Sequence, residues 1–158
     1  MADFLSIKFD DSALQAKLTE IGGQAKAAVR PAAQAGAQVL YDQVKANVGL
    51  IGKVTGNLDR SIYQVYSNES AEGKRAVYHV SWNKTKAPHG YLVEYGHIQT
   101  RKVYIGSDGK WYTSKTPLEG GPKLVAARPF LRPAFDAKNR AALEAARDRF
   151  VAEVEKVL

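Results

Sequence analysis

The sequence has 158 residues, of which 45% are hydrophobic and 25% are charged, a composition typical of one globular domain. It contains no cysteine, which excludes disulfides, thiolate nucleophiles and metal sites built from cysteine. No apolar run approaches the roughly 20 residues that a membrane-spanning helix needs, and the first residues lack the basic start and apolar centre of a signal peptide. We therefore expect a single domain over residues 1–158 that stays in the cytoplasm and has no membrane partner.

The formal net charge of +7 comes mainly from one segment. Residues 97–132 contain seven basic residues against two acidic ones, whereas the other segments are close to neutral. A local positive patch binds either nucleic acid or an acidic protein surface, and the sign of the charge does not choose between them.

The first third of the chain predicts a strand and two helices. Residues 4–9 alternate loosely between apolar and polar side chains, which favours a short strand. A helix capped by Asp11 or Ser12 follows and ends at Gly22-Gly23. The second helix is longer, and Pro31 fits either its first turn or a kink in one continuous helix from about residue 24. The buried stripe of this helix comprises Ala33, Ala37, Leu40, Val44 and Val48.

The middle of the chain predicts an antiparallel hairpin. Residues 61–67 and 74–83 are rich in Ile, Tyr, Val and Trp, and a polar segment, 68–73, separates them. In the second strand, the face expected to point toward the core comprises Ala76, Tyr78, Val80 and Trp82.

Residues 98–121 predict a second hairpin, which protrudes as an arm. Two β-prone runs, 103–106 and 110–113, flank Ser107-Asp108-Gly109, and Asp-Gly is a common hairpin turn. A loop rich in glycine and proline follows, and residues 123–127 can add a strand.

The last segment predicts a helix from about Pro133 to Val157. Its sparse apolar stripe comprises Phe135, Leu143, Ala146, Phe150 and Val154. Together the elements predict an α+β fold. In it, a small, mostly antiparallel β-sheet packs against the long helix of the N-terminal half and the long C-terminal helix, and the arm at 98–121 protrudes.

Three signatures in this order carry a resemblance to a known family. They are Thr55-Gly56-Asn57-Leu58 with Arg60-Ser61-Ile62, then Tyr91-Leu92-Val93-Glu94-Tyr95-Gly96, then Ala127-Arg128-Pro129-Phe130-Leu131-Arg132-Pro133-Ala134. Over roughly residues 24–157 the chain resembles the neck or tail-completion family of long-tailed bacteriophages, often called minor tail components. It departs from shorter members in the arm at 98–121.

The resemblance implies a virion structural protein without enzymatic activity or cofactor. Its implied partners are further copies in a sixfold ring at the head–tail junction, the connector or head-closure protein, and the tail-terminator or tail-tube protein. DNA passes through such a junction, so contact with DNA is also implied. The protein would be found in the virion and, during assembly, in the host cytoplasm.

The residues of the three signatures also have a direct physical interpretation as determinants of the fold. Gly56 permits a positive φ, and Pro133 suits the first turn of a helix. Phe130 and Leu58 supply apolar anchors. The full set comprises Thr55, Gly56, Leu58, Tyr91, Glu94, Gly96, Arg128, Pro129, Phe130 and Pro133.

Glu94 is the residue of this set whose role is open. If residues 91–97 form a helical turn, Glu94 and His97 face one side as in a Glu-x-x-His ligand pair, with His89 nearby. Bundle di-metal sites need two such pairs, and the sequence has one. The alternative is that Glu94 accepts hydrogen bonds from local backbone donors or pairs with Arg128 or Arg132. We predict no metal site and, because no nucleophile elbow or phosphate-binding loop occurs, no enzyme.

The arm combines cations with aromatic side chains, which leaves three interpretations. It is a subunit interface, a solvated hairpin whose aromatic rings pair across strands, or a nucleic-acid-contacting module. Its candidate partner-binding residues are Arg101, Lys102, Tyr104, Lys110, Trp111 and Tyr112.

Overall fold

The computed structural model describes residues 11–52, 55–68 and 75–157. The predicted strand at 4–9 lies outside these residues. The helices are α1 (Ser12–Leu50), α2 (Asn57–Ser61), α3 (Gly90–Tyr95) and α4 (Leu131–Val154), and a 3-10 turn, Glu155–Val157, follows α4. The strands are β1 (Ile62–Tyr66), β2 (Tyr78–Trp82), β3 (His97–Gln99), β4 (Arg101–Ile105), β5 (Trp111–Pro117) and β6 (Lys123–Val125). No helix in the described ranges is long and apolar enough to cross a membrane.

Helix α1 is continuous from Ser12 to Leu50, so the predicted end at Gly22-Gly23 is wrong. The two glycines lower helix propensity by about 1 kcal/mol each, which weakens a helix without ending it. Pro31 lies inside α1 rather than in the first turn of a second helix. Its ring removes one backbone donor, and the helix runs on through this position.

The chain divides into two compact units, and α1 and α4 each contribute to both. Of the described residues, unit 1 comprises 11–39, 65–68, 75–79 and 140–157, and unit 2 comprises 40–52, 55–64 and 80–139. A single domain over the whole chain therefore stays a prediction.

Unit 1 is a close helix contact built from small residues. Gly36 of α1 faces Ala142 and Ala146 of α4 so closely that a Cβ on Gly36 would come within 2.8 Å of the Ala142 carbonyl oxygen. Near the end of α4, the Gln24 side-chain amide donates a 3.0 Å hydrogen bond to the Glu153 carbonyl. The buried alanines of unit 1 are Ala28, Ala32, Ala37 and Ala142.

Unit 2 contains the main apolar cluster. Its largest members are Phe130 and Trp82, whose rings meet edge to face with centroids 5.7 Å apart. Val44 and Val48 of α1 pack against them, as the predicted stripe requires. The remaining buried members are Leu58, Ile62, Ala87 and Ala134. Asn47 of α1 donates a hydrogen bond of 3.0 Å to the carbonyl of Phe130, the residue that precedes α4.

Within the described residues, the strands form three separate two-stranded sheets, β1 with β2, β3 with β6, and β4 with β5. The β1–β2 pair confirms the predicted hairpin, and Trp82 and Val80 lie on its core side. The β4–β5 pair is the predicted arm. The short β3–β6 pair joins Gln99 to Lys123 at its outer end and so forms the base of the arm.

Helix α4 begins at Leu131, two residues before the predicted start, which places Pro133 in its first turn. Its predicted apolar stripe is wrong in part, because Phe135 and Leu143 are exposed. Ala134 and Ala142 are buried instead.

Candidate functional site

The segment from Gly90 to Gly96 is a helical turn, α3, held between two glycines. A Cβ on Gly90 would overlap the Trp82 indole. Gly96 has φ 72° and ψ 172°, a conformation essentially restricted to glycine, and a Cβ there would lie 2.8 Å from the Val125 carbonyl oxygen. Gly90 is therefore required by close packing against the Trp82 side chain, and Gly96 by close packing against the backbone of residues 125–127.

The Glu94 carboxylate lies at the first turn of α4 and is 1% exposed. It accepts hydrogen bonds from the backbone N–H groups of Phe130 at 2.7 Å, Leu131 at 3.0 Å and Arg132 at 3.3 Å. The first amides of a helix have no partner within the helix and carry its positive dipole end. Glu94 satisfies three of them with the charge that the dipole favours, and we call this arrangement the Glu94 cap.

The donors of the Glu94 cap also set its protonation. Burial raises the pKa of the Glu94 carboxyl, but the hydrogen bonds from Leu131, Phe130 and Arg132 outweigh burial, so the pKa lies below its ordinary value. The carboxylate is therefore ionised at neutral pH.

Arg128 and Arg132, the two predicted ion-pair partners of Glu94, make different contacts. Arg132 Nε lies 3.4 Å from Glu94 Oε1, and its guanidinium stands 5.1 Å from the centre of the Tyr95 ring. Arg128 donates from its side chain to the Ile51 carbonyl at 3.2 Å and from its backbone N–H to the Val93 carbonyl at 2.8 Å. The pairing of Glu94 with Arg132 is confirmed, and the pairing with Arg128 is wrong. The backbone donors are not local, because they lie 36–38 residues away in the chain.

The remaining signature residues occupy varied positions. Gly56 has φ 70° at the start of α2, and Leu58 is buried in the unit 2 cluster, as predicted. Phe130 is 0% exposed.

The other signature residues lie nearer the surface. The carbonyl of Thr55 accepts a hydrogen bond from the Arg60 side chain. Tyr91 is exposed, and its ring lies 4.7 Å from that of Tyr95. Pro129 is half-buried beside Phe130, and Pro133 is exposed on α4.

The geometry does not favour a metal site at Glu94. Both oxygens of its carboxylate already accept hydrogen bonds from the donors of the Glu94 cap. Within residues 11–52, 55–68 and 75–157, no group of three or more His, Asp or Glu side chains could hold a metal ion. His97 instead lies in β3, where it pairs with Val125.

The two strands of the arm are β4 and β5, and every residue of β4 is exposed. Ile105 faces Trp111 across the pair, and Val103 faces Thr113. Directly opposed residues share a face of an antiparallel pair, so Val103, Ile105 and Trp111 form an apolar surface on one face, with Thr113 beside them. Val103, Ile105 and Trp111 (51% exposed) all remain accessible on it. We call this surface the apolar arm face.

The opposite face of the arm carries two tyrosines. The rings of Tyr104 and Tyr112 are stacked with centroids 5.9 Å apart. The Tyr112 hydroxyl donates a 2.7 Å hydrogen bond to Asp108 at the turn. This bond lowers the pKa of the Asp108 carboxyl and raises the pKa of the Tyr112 phenol. The cross-strand pairing of aromatic rings that sequence suggested is confirmed for these two.

The cations of the arm are not equivalent. The Lys110 ammonium lies 3.7 Å from the Asp108 carboxylate, which partly balances its positive charge. Arg101 and Lys102 are exposed and make no ion pair within the described part of the chain. The strand is irregular between Arg101 and Val103, so Lys102 lies at a bulge. The structure thus brings the six predicted partner-binding residues onto one hairpin but not onto one face.

Sequence reasoning missed Val103 and Ile105 as surface residues. The signal was present, because Val103, Ile105 and Trp111 occupy alternate or directly opposed positions around an Asp-Gly turn. It also missed the exposure of Phe135, because a periodic apolar residue on a long helix is normally assigned to the core.

Comparison with known proteins identifies a family. A search of the curated proteins found no match, and a search of the solved structures also found none. One family model matches residues 12–96, more than half of the chain, and its description reads "Bacteriophage HK97-gp10, putative tail-component". The matched region covers α1, the Gly56 turn, the first hairpin and α3 with Glu94. The resemblance drawn from the three signatures is therefore confirmed, and the chain belongs to the HK97-gp10-like family of phage tail components.

Proposed function

We propose that the protein is a ring-forming subunit at the junction between phage head and tail, and that the arm is a contact between neighbouring subunits. The observation that carries this proposal is the apolar arm face. An isolated two-stranded hairpin is marginally stable in water. This one exposes Val103, Ile105 and Trp111 on one side and two tyrosines on the other. Exposed apolar patches on a hairpin are typical of protein interfaces.

The rest of the molecule supports a structural rather than a catalytic role. Glu94, the buried carboxylate of the described region, caps the N-terminus of α4. The family to which the chain belongs consists of tail components. The subunit would remain monomeric in isolation and form its ring on the connector or the end of the tail, because a heterologous contact closes only when all copies are in place.

Removal of the arm tests the proposal. Deleting residues 100–120 leaves Gln99 and Lys123, which are register partners, joined by Gly121-Pro122. Glycine at the first position of a two-residue turn suits a tight hairpin. We expect the shortened protein to fold as a monomer, with an unchanged thermal midpoint, and to be lost from purified phage particles. Normal incorporation of the shortened protein, by mass spectrometry and light scattering, would contradict the proposal.

A nucleic-acid-contacting module is the second candidate, since Arg101, Lys102 and Lys115 are exposed on the arm. Cations interleaved with aromatic rings bind single strands and phosphate backbones. Titration of random-sequence DNA into the protein at increasing salt separates the candidates. Tight binding that survives moderate salt favours this function, whereas weak binding that salt abolishes is expected of a plain basic patch.

A further inference from the structure

Unit 2 has an open apolar groove beside the start of α4. Leu40 and Val44 of α1, Val80 of β2 and Phe135 of α4 line it, and its volume is 380 Å³. Phe135 is 58% exposed although it lies on the apolar lining. We call this the α4 groove. It offers an aromatic surface and enough room for a large side chain.

The α4 groove carries an unbalanced negative charge. Arg132 and Asp136 are its two charged lining residues. The charge of Arg132 is balanced by the Glu94 carboxylate at 3.4 Å. Asp136 is exposed and has no ion pair within the described ranges. A partner that combines an apolar surface with positive charge is therefore complementary to the groove.

The arm has both properties. The apolar arm face presents Trp111 and Ile105, and the bulge beside it presents Lys102. Residues 98–121 carry four basic side chains against two acidic ones. Tryptophan, tyrosine and arginine are favoured interface anchors, and tryptophan is among the residues that most often dominate binding energy.

We propose that the α4 groove receives the arm of a second copy of the chain, with Trp111 against Phe135 and the basic arm beside Asp136. This inference rests on the proposed function, because it names the surface that the arm contacts in the ring. Arm and groove are different surfaces of one chain, so each copy donates an arm and accepts one. Such a heterologous contact forms a closed ring when its rotation closes.

Thiol cross-linking in assembled phage particles tests the contact, and the chain offers a clean background because it has no cysteine. Two single variants, Trp111→Cys and Phe135→Cys, are overproduced together during phage growth without the wild-type protein, so that no wild-type copy competes for the particle. The particles are then treated with a short bis-maleimide. We expect a covalent dimer that contains one copy of each variant. The double variant Trp111→Cys/Phe135→Cys should give a ladder of higher oligomers. Leu14→Cys is the matched control, since Leu14 is 57% exposed, and it should give no dimer with Trp111→Cys.

The outcomes separate this inference from the function on which it rests. Dimers between two Trp111→Cys copies, or between Trp111→Cys and another virion protein, would overturn the α4 groove as receptor and leave the arm as an interface. Absence of any Trp111–Phe135 product in particles that contain both variants would also overturn it. Absence of the wild-type protein from particles would instead overturn the proposed function.

A second readout uses the charge of the groove. Asp136→Lys places a cation beside the basic arm, and we expect the yield of the Trp111–Phe135 dimer to fall at least fivefold. Asp148→Lys on the same helix is the control and should leave the yield unchanged. An equal yield in both variants would contradict the predicted contact.

Discussion

The Glu94 cap and the arm lie in the same compact unit, but they are completed in different ways. Glu94 is 1% exposed and accepts hydrogen bonds from three amides at the start of α4. The arm exposes apolar and aromatic side chains on both of its faces. The cap is complete within the chain, whereas we propose that a partner completes the arm. Glu94, a charged residue of a signature, therefore serves the fold here, and the hairpin outside the matched family region is the part that we propose for recognition.

The largest effect is expected from Glu94→Ala. It leaves the first amides of α4 buried without an acceptor, and loss of one partner of a buried charged interaction costs about 3–5 kcal/mol. Urea unfolding followed by circular dichroism measures the loss. Glu144→Ala is the control, because Glu144 is an exposed partner of Arg140, and pairs of this kind contribute about 0.5 kcal/mol or less. A loss below about 1 kcal/mol for Glu94→Ala would contradict the importance of the cap.

Gly96→Ala comes next. The backbone conformation disfavours any side chain, and the new Cβ would meet the Val125 carbonyl at 2.8 Å. Strain of this kind costs about 1–3 kcal/mol. Gly22→Ala is the opposite control, since nothing lies within 4 Å of its Cβ position inside α1, and the change should stabilise by about 0.4–1 kcal/mol. Equal effects of the two substitutions on the unfolding midpoint would show that the tight backbone approach at Gly96 is unimportant.

The contribution of the Glu94 cap to the free energy of unfolding should fall in acid. The folded-state pKa of Glu94 is below its ordinary value, so Glu94 contributes stability above the unfolded-state pKa of about 4.3, and the contribution is lost as pH falls through the folded-state pKa. Unfolding free energies of the wild type and Glu94→Gln are compared from pH 7 downward. We expect the difference between them to shrink below about pH 4.3. A difference that is constant with pH would contradict the ionised cap.

The smallest effect on stability is expected at Trp111. The side chain is half exposed in the arm, so Trp111→Ala should change the unfolding free energy by no more than about 0.5 kcal/mol. When it competes with the wild-type protein during phage growth, the variant should nevertheless be incorporated into particles about 30-fold less, as expected for an interface residue contributing about 2 kcal/mol. A variant that is destabilised like Glu94→Ala would place Trp111 in the core rather than in an interface.

Local sequence signals predicted much of this architecture. The Asp108-Gly109 turn with its flanking strands, the positive φ at Gly56 and the helix that includes Pro133 all depend on neighbouring residues, and all are present. The extent of α1 was not predicted, because glycine and proline lower helix propensity without deciding where a packed helix ends. The partners of Glu94 depend on a chain approach across 36–38 residues, which spacing alone does not encode.

The exposed residues needed the structure for a different reason. Phe135 and Leu143 follow a helical period that usually marks a core. The period alone does not show whether another element packs against that face of the helix. On the arm, alternation identified the strands but did not show that no other described element of the chain covers them. Exposure depends on the whole fold. The apolar arm face could therefore be identified as an interface candidate only from the structure, which shows both faces of the hairpin.

The most direct test of the difference between cap and arm is hydrogen exchange measured on the free protein and on assembled phage particles. In the free protein, we expect the amides of residues 101–117 to exchange rapidly and those of Phe130 and Leu131 to be protected, because the cap is already complete. In particles, the arm amides should become protected and those of the cap should change little. Arm amides that exchange equally fast in both states would contradict the account.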